Sequence, residues 1–164
     1  MWSMNRPVRA SQLVSGTTRQ ETFAALLDVG GFPEWSSGLS RMRLLDGATR
    51  MEPGVSMEFT LSAAGFTHKV VSTITVLQAP QLIEWRYAKG AVGSGGWKVE
   101  EAGPDTVRIT FWTDYEVKPA WLNRISHRTF FRGVAEDLLR RSMRRLGERL
   151  SEAGDYRPST SSSS

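Results

Sequence analysis

The chain has 164 residues, a net charge of +4 and no cysteine. This length suits one domain with a hydrophobic core, and the lack of cysteine excludes disulfide frameworks, thiol nucleophiles and zinc–thiolate sites. It has only two histidines (His68 and His127), so we expect no metal or other cofactor. Because no apolar run comes near the roughly 18 residues of a membrane span and the start shows no apolar secretory signal, we expect a cytoplasmic protein.

The first predicted elements are a short strand and two short helices. The strand is expected to begin at about Gln12, after an extended N-terminus. Thr18 and Glu21 have the spacing of a capping box, and the apolar residues that follow at helical spacing predict a helix that stops at Gly30. Residues 32–35 predict a compact turn or a second short helix.

Between Leu39 and Glu116 the hydrophobic period changes from 3.6 to 2, which is typical of half-buried antiparallel strands. Turn residues interrupt the pattern where hairpins need them, and the pattern predicts a meander of six or seven strands. We interpret the glycine-rich run 90–96 as a flexible hairpin, with a lid over a pocket mouth as the alternative. The predicted inward phase comprises Val55, Met57, Phe59, Leu61, His68, Val70, Ser72, Ile74, Val76, Ile83, Trp85, Tyr87, Trp97, Val99, Val107, Ile109, Phe111, Thr113 and Tyr115.

A long amphipathic helix is predicted from about Ala120 to Ala153, after Pro119, which suits a first helical turn. Its apolar residues fall within one half of a helical wheel and arginines 140, 141 and 144 within the other half. The apolar seam drifts near residues 126–129, so a break there stays open. We interpret the arginines as a solvated face; contact with an anionic membrane is the alternative that we retain, and no nucleic-acid partner is expected.

Each predicted strand has one apolar and one charged face, so the sheet needs a cover on one side only. A strongly curved antiparallel sheet wrapped around the single long helix is the simplest way to provide it. A helix about 10 Å across does not fill the concavity of a seven-stranded sheet. Either large side chains fill the remaining space or a cavity is left there.

Several segments, in this order, are similar to those of a known family. They are Thr18–Asp28, similar to its first helix; Phe32–Ser36, similar to its W-P-E-W-N/S turn; Arg41–Leu45 with Glu52–Val55, similar to its second strand and the glycine lead into the third; and Pro80–Trp85, similar to P-P-R-R-L-x-W. The chain resembles the START-like helix-grip (SRPBCC) superfamily and, more narrowly, its polyketide cyclase/dehydratase and lipid-transport branch. The resemblance implies an α+β helix-grip domain over residues 10–153, which leaves an extension over 1–9. The low-complexity composition of the serine-rich tail over 154–164 predicts that it is disordered.

Sparse polar groups in an otherwise apolar concavity are typical of a small-molecule site, because the apolar wall supplies affinity and the polar points fix orientation. The predicted ligand-binding residues are Phe59, His68, Val70, Ser72, Trp85, Tyr87, Trp97, Phe111, Thr113, Tyr115, Phe131, Val134 and Leu138. For each of them a purely structural role is the alternative, with the aromatic rings as core and the polar groups bonded to backbone.

The predicted concave face carries no catalytic constellation. The carboxylates of the strands all fall on the outward phase, so a buried pair for acid–base catalysis is not expected; they are Glu58, Glu84, Glu100, Asp114 and Glu116. Neither histidine has the local pattern of a Ser–His–Asp arrangement.

Three functions remain open at this point. The first is a carrier or binding protein, monomeric or homodimeric, that holds a lipid, quinone or polyketide-like compound. The second, implied by the resemblance, is a polyketide cyclase/dehydratase-like enzyme that uses the same cavity; the residues match no catalytic set of the family, so none is assigned. The third is an adaptor that docks partners on its sheet, around the outward-facing Trp112.

Overall fold

The computed structural model describes residues 8–63, 66–117 and 128–155. The elements are β1 (Val8–Ser15), α1 (Arg19–Leu27), α2 (Phe32–Trp35), β2 (Leu39–Leu44), β3 (Ser56–Ala63), β4 (Phe66–Gln78), β5 (Leu82–Lys89), β6 (Ala91–Gly103), β7 (Thr106–Val117) and α3 (Arg128–Asp155). Two short helices follow the first strand and a long helix follows the last one, as the sequence predicts.

All seven strands form one antiparallel sheet in the order β1-β7-β6-β5-β4-β3-β2. Strands β2 to β7 are a continuous meander, and β1 closes the far edge by pairing with β7. The sheet curls into a half-barrel, with α3 as its long C-terminal helix. The predicted curved sheet of a helix-grip fold is therefore confirmed.

The C-terminal half of α3 packs closely on β1. The Ser151 hydroxyl donates a hydrogen bond of 2.8 Å to the carbonyl of Ser15. Gly147 permits this approach, because a Cβ at that position would lie 2.8 Å from Nε2 of Gln12 and 3.3 Å from Cγ2 of Val14. The helix thus reaches the end of the sheet where β1 finishes and α1 begins.

Several local predictions were wrong, each because of strand pairing. Strand β1 begins at Val8, not Gln12, since its residues pair with β7 along their whole length. Val76 does not face the core: a bulge after Ile74 turns it outward, and Leu77 takes the inward position opposite Ile83. The part of the predicted last helix over 120–127 lies outside the described residues.

The glycine-rich run is not a hairpin loop. Residues 93–96 lie inside β6 and pair with β7, and the turn between β5 and β6 falls at Gly90. The rings of two tryptophans occupy the space that side chains would need there. A Cβ on Gly95 would lie 2.9 Å from the Trp85 ring, and a Cβ on Gly96 would overlap the Trp112 ring on the opposite face.

Candidate ligand-binding site

One end of the concave face is filled by aromatic rings. Ring centroids lie 4.2 Å apart for Phe32 and Trp35, 5.9 Å for Trp35 and Trp97, 4.6 Å for Trp97 and Phe111, and 5.8 Å for Phe111 and Trp85. We call these five residues the aromatic cluster. Since α2 supplies two of them and buried residues of α1 pack against the rest, this end of the concavity is solid core.

The other end of the concave face keeps exposed surface. Five residues on the inward phase of β3, β4, β5 and β7 are only half-buried there, and we call them the open end; they are Phe59, Leu61, His68, Tyr87 and Tyr115. Their arrangement follows from the register, which places Leu61 opposite His68. The Phe59 and Tyr87 rings meet edge to face, with centroids 6.5 Å apart.

A hydroxyl pair crosses the sheet beside this open end. The Tyr87 hydroxyl and the Thr113 hydroxyl are 2.6 Å apart, although β6 separates their strands. The β6 residues paired with Tyr115 and Thr113 are Gly93 and Gly95, so no side chain stands between the two hydroxyls. The glycine run therefore makes room for a polar contact between next-nearest strands.

The Tyr87 phenol stays protonated at neutral pH. Burial of the hydroxyl raises its pKa above the ordinary value of 10.0, and hydrogen bonds with Thr113 and Trp85 offset this only in part. The ring nevertheless keeps exposed surface. Tyr87 can therefore donate a hydrogen bond to a neutral acceptor in an apolar setting, and it is not a base.

His68 is held by the turn between β5 and β6. Its Nε2 lies 2.7 Å from the carbonyl oxygen of Gly90. A carbonyl oxygen only accepts, so Nε2 is the donor in this contact, and in the tautomer that this requires Nδ1 is an acceptor. One nitrogen of this histidine is thus bonded to the backbone, and a ligand-binding role for the other stays a prediction.

Ser72 is enclosed and does not lie on the open surface. It has no exposed area, and its hydroxyl has no hydrogen-bond partner in the described part of the chain. Its neighbours in register are Met57 and Tyr87. A buried hydroxyl without a partner is a net cost to folding.

We expect Ser72→Ala to raise the free energy of unfolding by about 1 kcal/mol, because it removes an unsatisfied buried hydroxyl. Urea denaturation measures this change. Ser56→Ala is the matched control on the neighbouring strand, since the Ser56 hydroxyl is 2.8 Å from that of Thr73, and it should lower stability instead. A loss of stability in Ser72→Ala would show that this hydroxyl is bonded.

The remaining predicted site residues divide between core and helix. Val70 is buried, and Leu138 on α3 is half-buried beside Gly38. Phe131 and Val134 belong to α3, but their side chains lie outside the described residues. Leu61 was not among the predicted ligand-binding residues, although its place two residues after Phe59 on the same predicted inward phase was a usable signal.

The outward phase of the carboxylates is confirmed where the structure describes them. Glu58 pairs with Arg43, and Glu100 pairs with Lys98, which lowers the pKa of the Glu100 carboxyl. Among the described residues, no three histidine, aspartate or glutamate side chains lie together as metal ligands would. Within the same ranges, no helix combines the length and the apolar character needed to cross a membrane.

Comparison with solved structures places this fold among known ones. A protein from Thermus thermophilus superposes with a TM-score of 0.74 at 13% identity, over 90% of this chain and 99% of that one. A START superfamily protein from Mycobacterium smegmatis gives 0.69 at 14% identity, over 90% and 98%. The Zhui aromatase/cyclase from Streptomyces sp. R1128 gives 0.66 at 14% identity, over 92% and 93%. At these identities the likeness shows the START-like helix-grip fold.

The sequence comparison is more specific about the family. No curated protein sequence matches the chain significantly. The model of one family, described as polyketide cyclase/dehydrase and lipid transport, matches residues 7–151, which includes every strand and most of α3. The chain therefore belongs to the polyketide cyclase/dehydrase and lipid-transport family within the START-like (SRPBCC) superfamily.

Proposed function

We propose that this protein binds an apolar small molecule carrying at least one oxygen acceptor, such as a lipid, quinone or polyketide-like compound, at the open end of its concave face. The observation that carries the proposal is the neutral Tyr87 hydroxyl beside half-buried apolar surface. The family, whose name includes lipid transport, supports the same class of ligand.

The aromatic cluster limits where a ligand is held. Because it packs the end of the concavity under α1 and α2, we expect a guest to lie towards Phe59 and Leu61. Half-buried apolar side chains of this kind supply affinity, because binding releases water from the surface of the protein and from that of the ligand. The expected ligand contacts are therefore fewer than the sequence predicts, and Trp85 and Trp97 act as the floor of the site.

Two polar groups give the ligand its orientation. Tyr87 donates to a ketone, quinone or hydroxyl oxygen, and the Nδ1 of His68 accepts from a hydroxyl or an acidic C–H neighbour. Binding by desolvation with one or two directional bonds is the mechanism of a carrier. A carrier is accordingly the function we favour.

A cyclase-like enzyme is the second candidate, and the family, whose name includes polyketide cyclase/dehydrase, favours it. Tyr87 would hydrogen-bond a ketone oxygen and so stabilise the enolate that forms when a base takes the proton from the adjacent carbon, the first step towards cyclisation and loss of water. An adaptor receives no such support, because Trp112 is half-buried against Gly96. The cytoplasmic location and the monomeric or homodimeric state stay predictions.

A pair of probes that differ only in a carbonyl tests the proposal. We expect both 2-acetylnaphthalene and 2-ethylnaphthalene to bind the wild-type chain and raise its melting temperature by mass action. Tyr87→Phe should weaken the ketone by about two- to tenfold, the worth of one hydrogen bond, and leave the hydrocarbon unchanged.

The two possible failures are distinct. If neither naphthalene binds in calorimetry, the concave face holds no apolar guest and the proposal is wrong. If both bind and Tyr87→Phe weakens them equally, the face binds apolar compounds but Tyr87 does not orient them.

A further inference from the structure

A second concave feature lies on the outer face of the sheet, opposite the candidate ligand-binding site. It is a groove of about 520 Å³ lined by Arg41, Arg43, Glu58, Thr60 and Lys69, which we call the outer groove. These residues alternate along β2, β3 and β4 with inward residues such as Phe59 and Val70. The outer groove is lined by charged and polar residues, whereas the concave face is mostly apolar. The groove therefore suits a charged ligand and not an apolar one.

The strand register builds a set of donors in the outer groove. Thr60 on the middle strand lies directly opposite Arg41 on one side and Lys69 on the other. Neighbouring strands are about 4.8 Å apart, so Arg41 and Lys69 flank Thr60 on the same face of the sheet. All three residues line the outer groove, which therefore offers a guanidinium, an ammonium and a hydroxyl.

The charges in the outer groove are not balanced. Arg43 is paired with Glu58, with 3.2 Å between its Nε and the carboxylate oxygen. Neither Arg41 nor Lys69 has an acidic partner within the described ranges, and both are exposed. Three cations against one carboxylate leave two positive charges uncompensated, which favours a dianion.

We propose that the outer groove binds a phosphate monoester. The planar guanidinium of Arg41 matches two phosphate oxygens, Lys69 supplies a compact charge and Thr60 donates a third contact. Glu58 accepts a hydrogen bond from Nε of Arg43, and both residues line the groove. The same phosphate chemistry occurs in a free metabolite and in a lipid head group.

The first test uses phenyl phosphate with the full chain. We expect binding with a Kd of about 1 mM by amide chemical shifts, with the largest changes at residues 41, 60 and 69. The double variant Arg41→Gln/Lys69→Gln should weaken binding by at least about tenfold. The matched control Arg9→Gln/Lys98→Gln removes the same charge from exposed positions on β1 and β6, and it should change the affinity by less than about twofold. Equal weakening in both variants, or no binding to the wild type, would overturn the proposal.

The second test distinguishes the two sources of phosphate. Vesicles of phosphatidylcholine with phosphatidic acid are compared with pure phosphatidylcholine by co-sedimentation. Vesicle binding that the groove variant abolishes and phenyl phosphate competes away assigns the groove to a lipid head group. Binding of phenyl phosphate without vesicle binding assigns it to a soluble phosphate. Vesicle binding that the groove variant leaves intact, in a chain that does not bind phenyl phosphate, rejects the site.

Discussion

Replacing Trp97 with alanine is expected to lower the free energy of unfolding by about 3–5 kcal/mol. Trp97 is only 5% exposed, and its ring is in contact with those of Trp35 and Phe111. Its ring therefore joins Trp35 of α2 to Phe111 of β7. Alanine would leave a cavity that the flanking strands cannot close, because their pairing on both sides of β6 fixes them.

Thermal and urea unfolding, read by circular dichroism, measure the effect. For a domain of this length the melting temperature should fall by about 10 °C or more. Val92→Ala is the control on the same strand, since Val92 is 48% exposed, and it should change stability by less than about 0.5 kcal/mol. If the two variants unfold alike, the aromatic cluster does not hold the helices on the sheet.

The fold follows from sequence patterns whose physics is local. The predicted helix start at Thr18 is confirmed as an N-cap, because the Glu21 amide donates to the threonine hydroxyl at 3.2 Å. Alternation along β7 is confirmed too, with Val107 and Ile109 buried and Arg108 exposed between them. In a sheet that is covered on one face only, every second side chain must enter the core. The alternation of apolar and polar residues can therefore be recognised without knowing the partner strands.

The errors arise where structure depends on a distant strand. The bulge after Ile74 shifts Val76 outward because Thr75 has no partner on β5 and Val76 pairs with Glu84, and the sequence of β4 alone carries no sign of it. Taken alone, the glycine-rich sequence of β6 is typical of a turn. It lies in a strand because the rings of Trp85 and Trp112 cover the two faces of its backbone, where larger side chains would clash.

The sequence predicts which face of the sheet carries the candidate site, but not which residues of that face are covered and which stay exposed. Alternation puts Trp85 and Tyr87 on the same side of β5, and both were predicted to bind ligand. Only the position of α1 and α2 shows that Trp85 is covered and that Tyr87 keeps exposed surface. Which inward residues line a pocket is thus decided by the helices that pack over the sheet.

Replacing Leu61 with tryptophan is expected to abolish most binding of a neutral apolar probe such as N-phenyl-1-naphthylamine. Leu61 is half-buried on the inward phase of β3, next to Phe59 and opposite His68, so a larger ring enters the space we assign to the guest. Loss of about 80 Å² of buried apolar contact costs about 2 kcal/mol, or roughly thirtyfold in Kd.

Fluorescence titration with this probe measures the change, and its neutrality keeps the basic outer groove out of the result. Leu13→Trp is the matched control: Leu13 is 57% exposed on edge strand β1, so the same substitution should leave probe affinity within about twofold. The melting temperatures of both variants show whether the sheet is intact. If Leu61→Trp folds and binds the probe as tightly as Leu13→Trp does, the guest lies elsewhere. A ring added at the open end must weaken the binding of a ligand that occupies the same space.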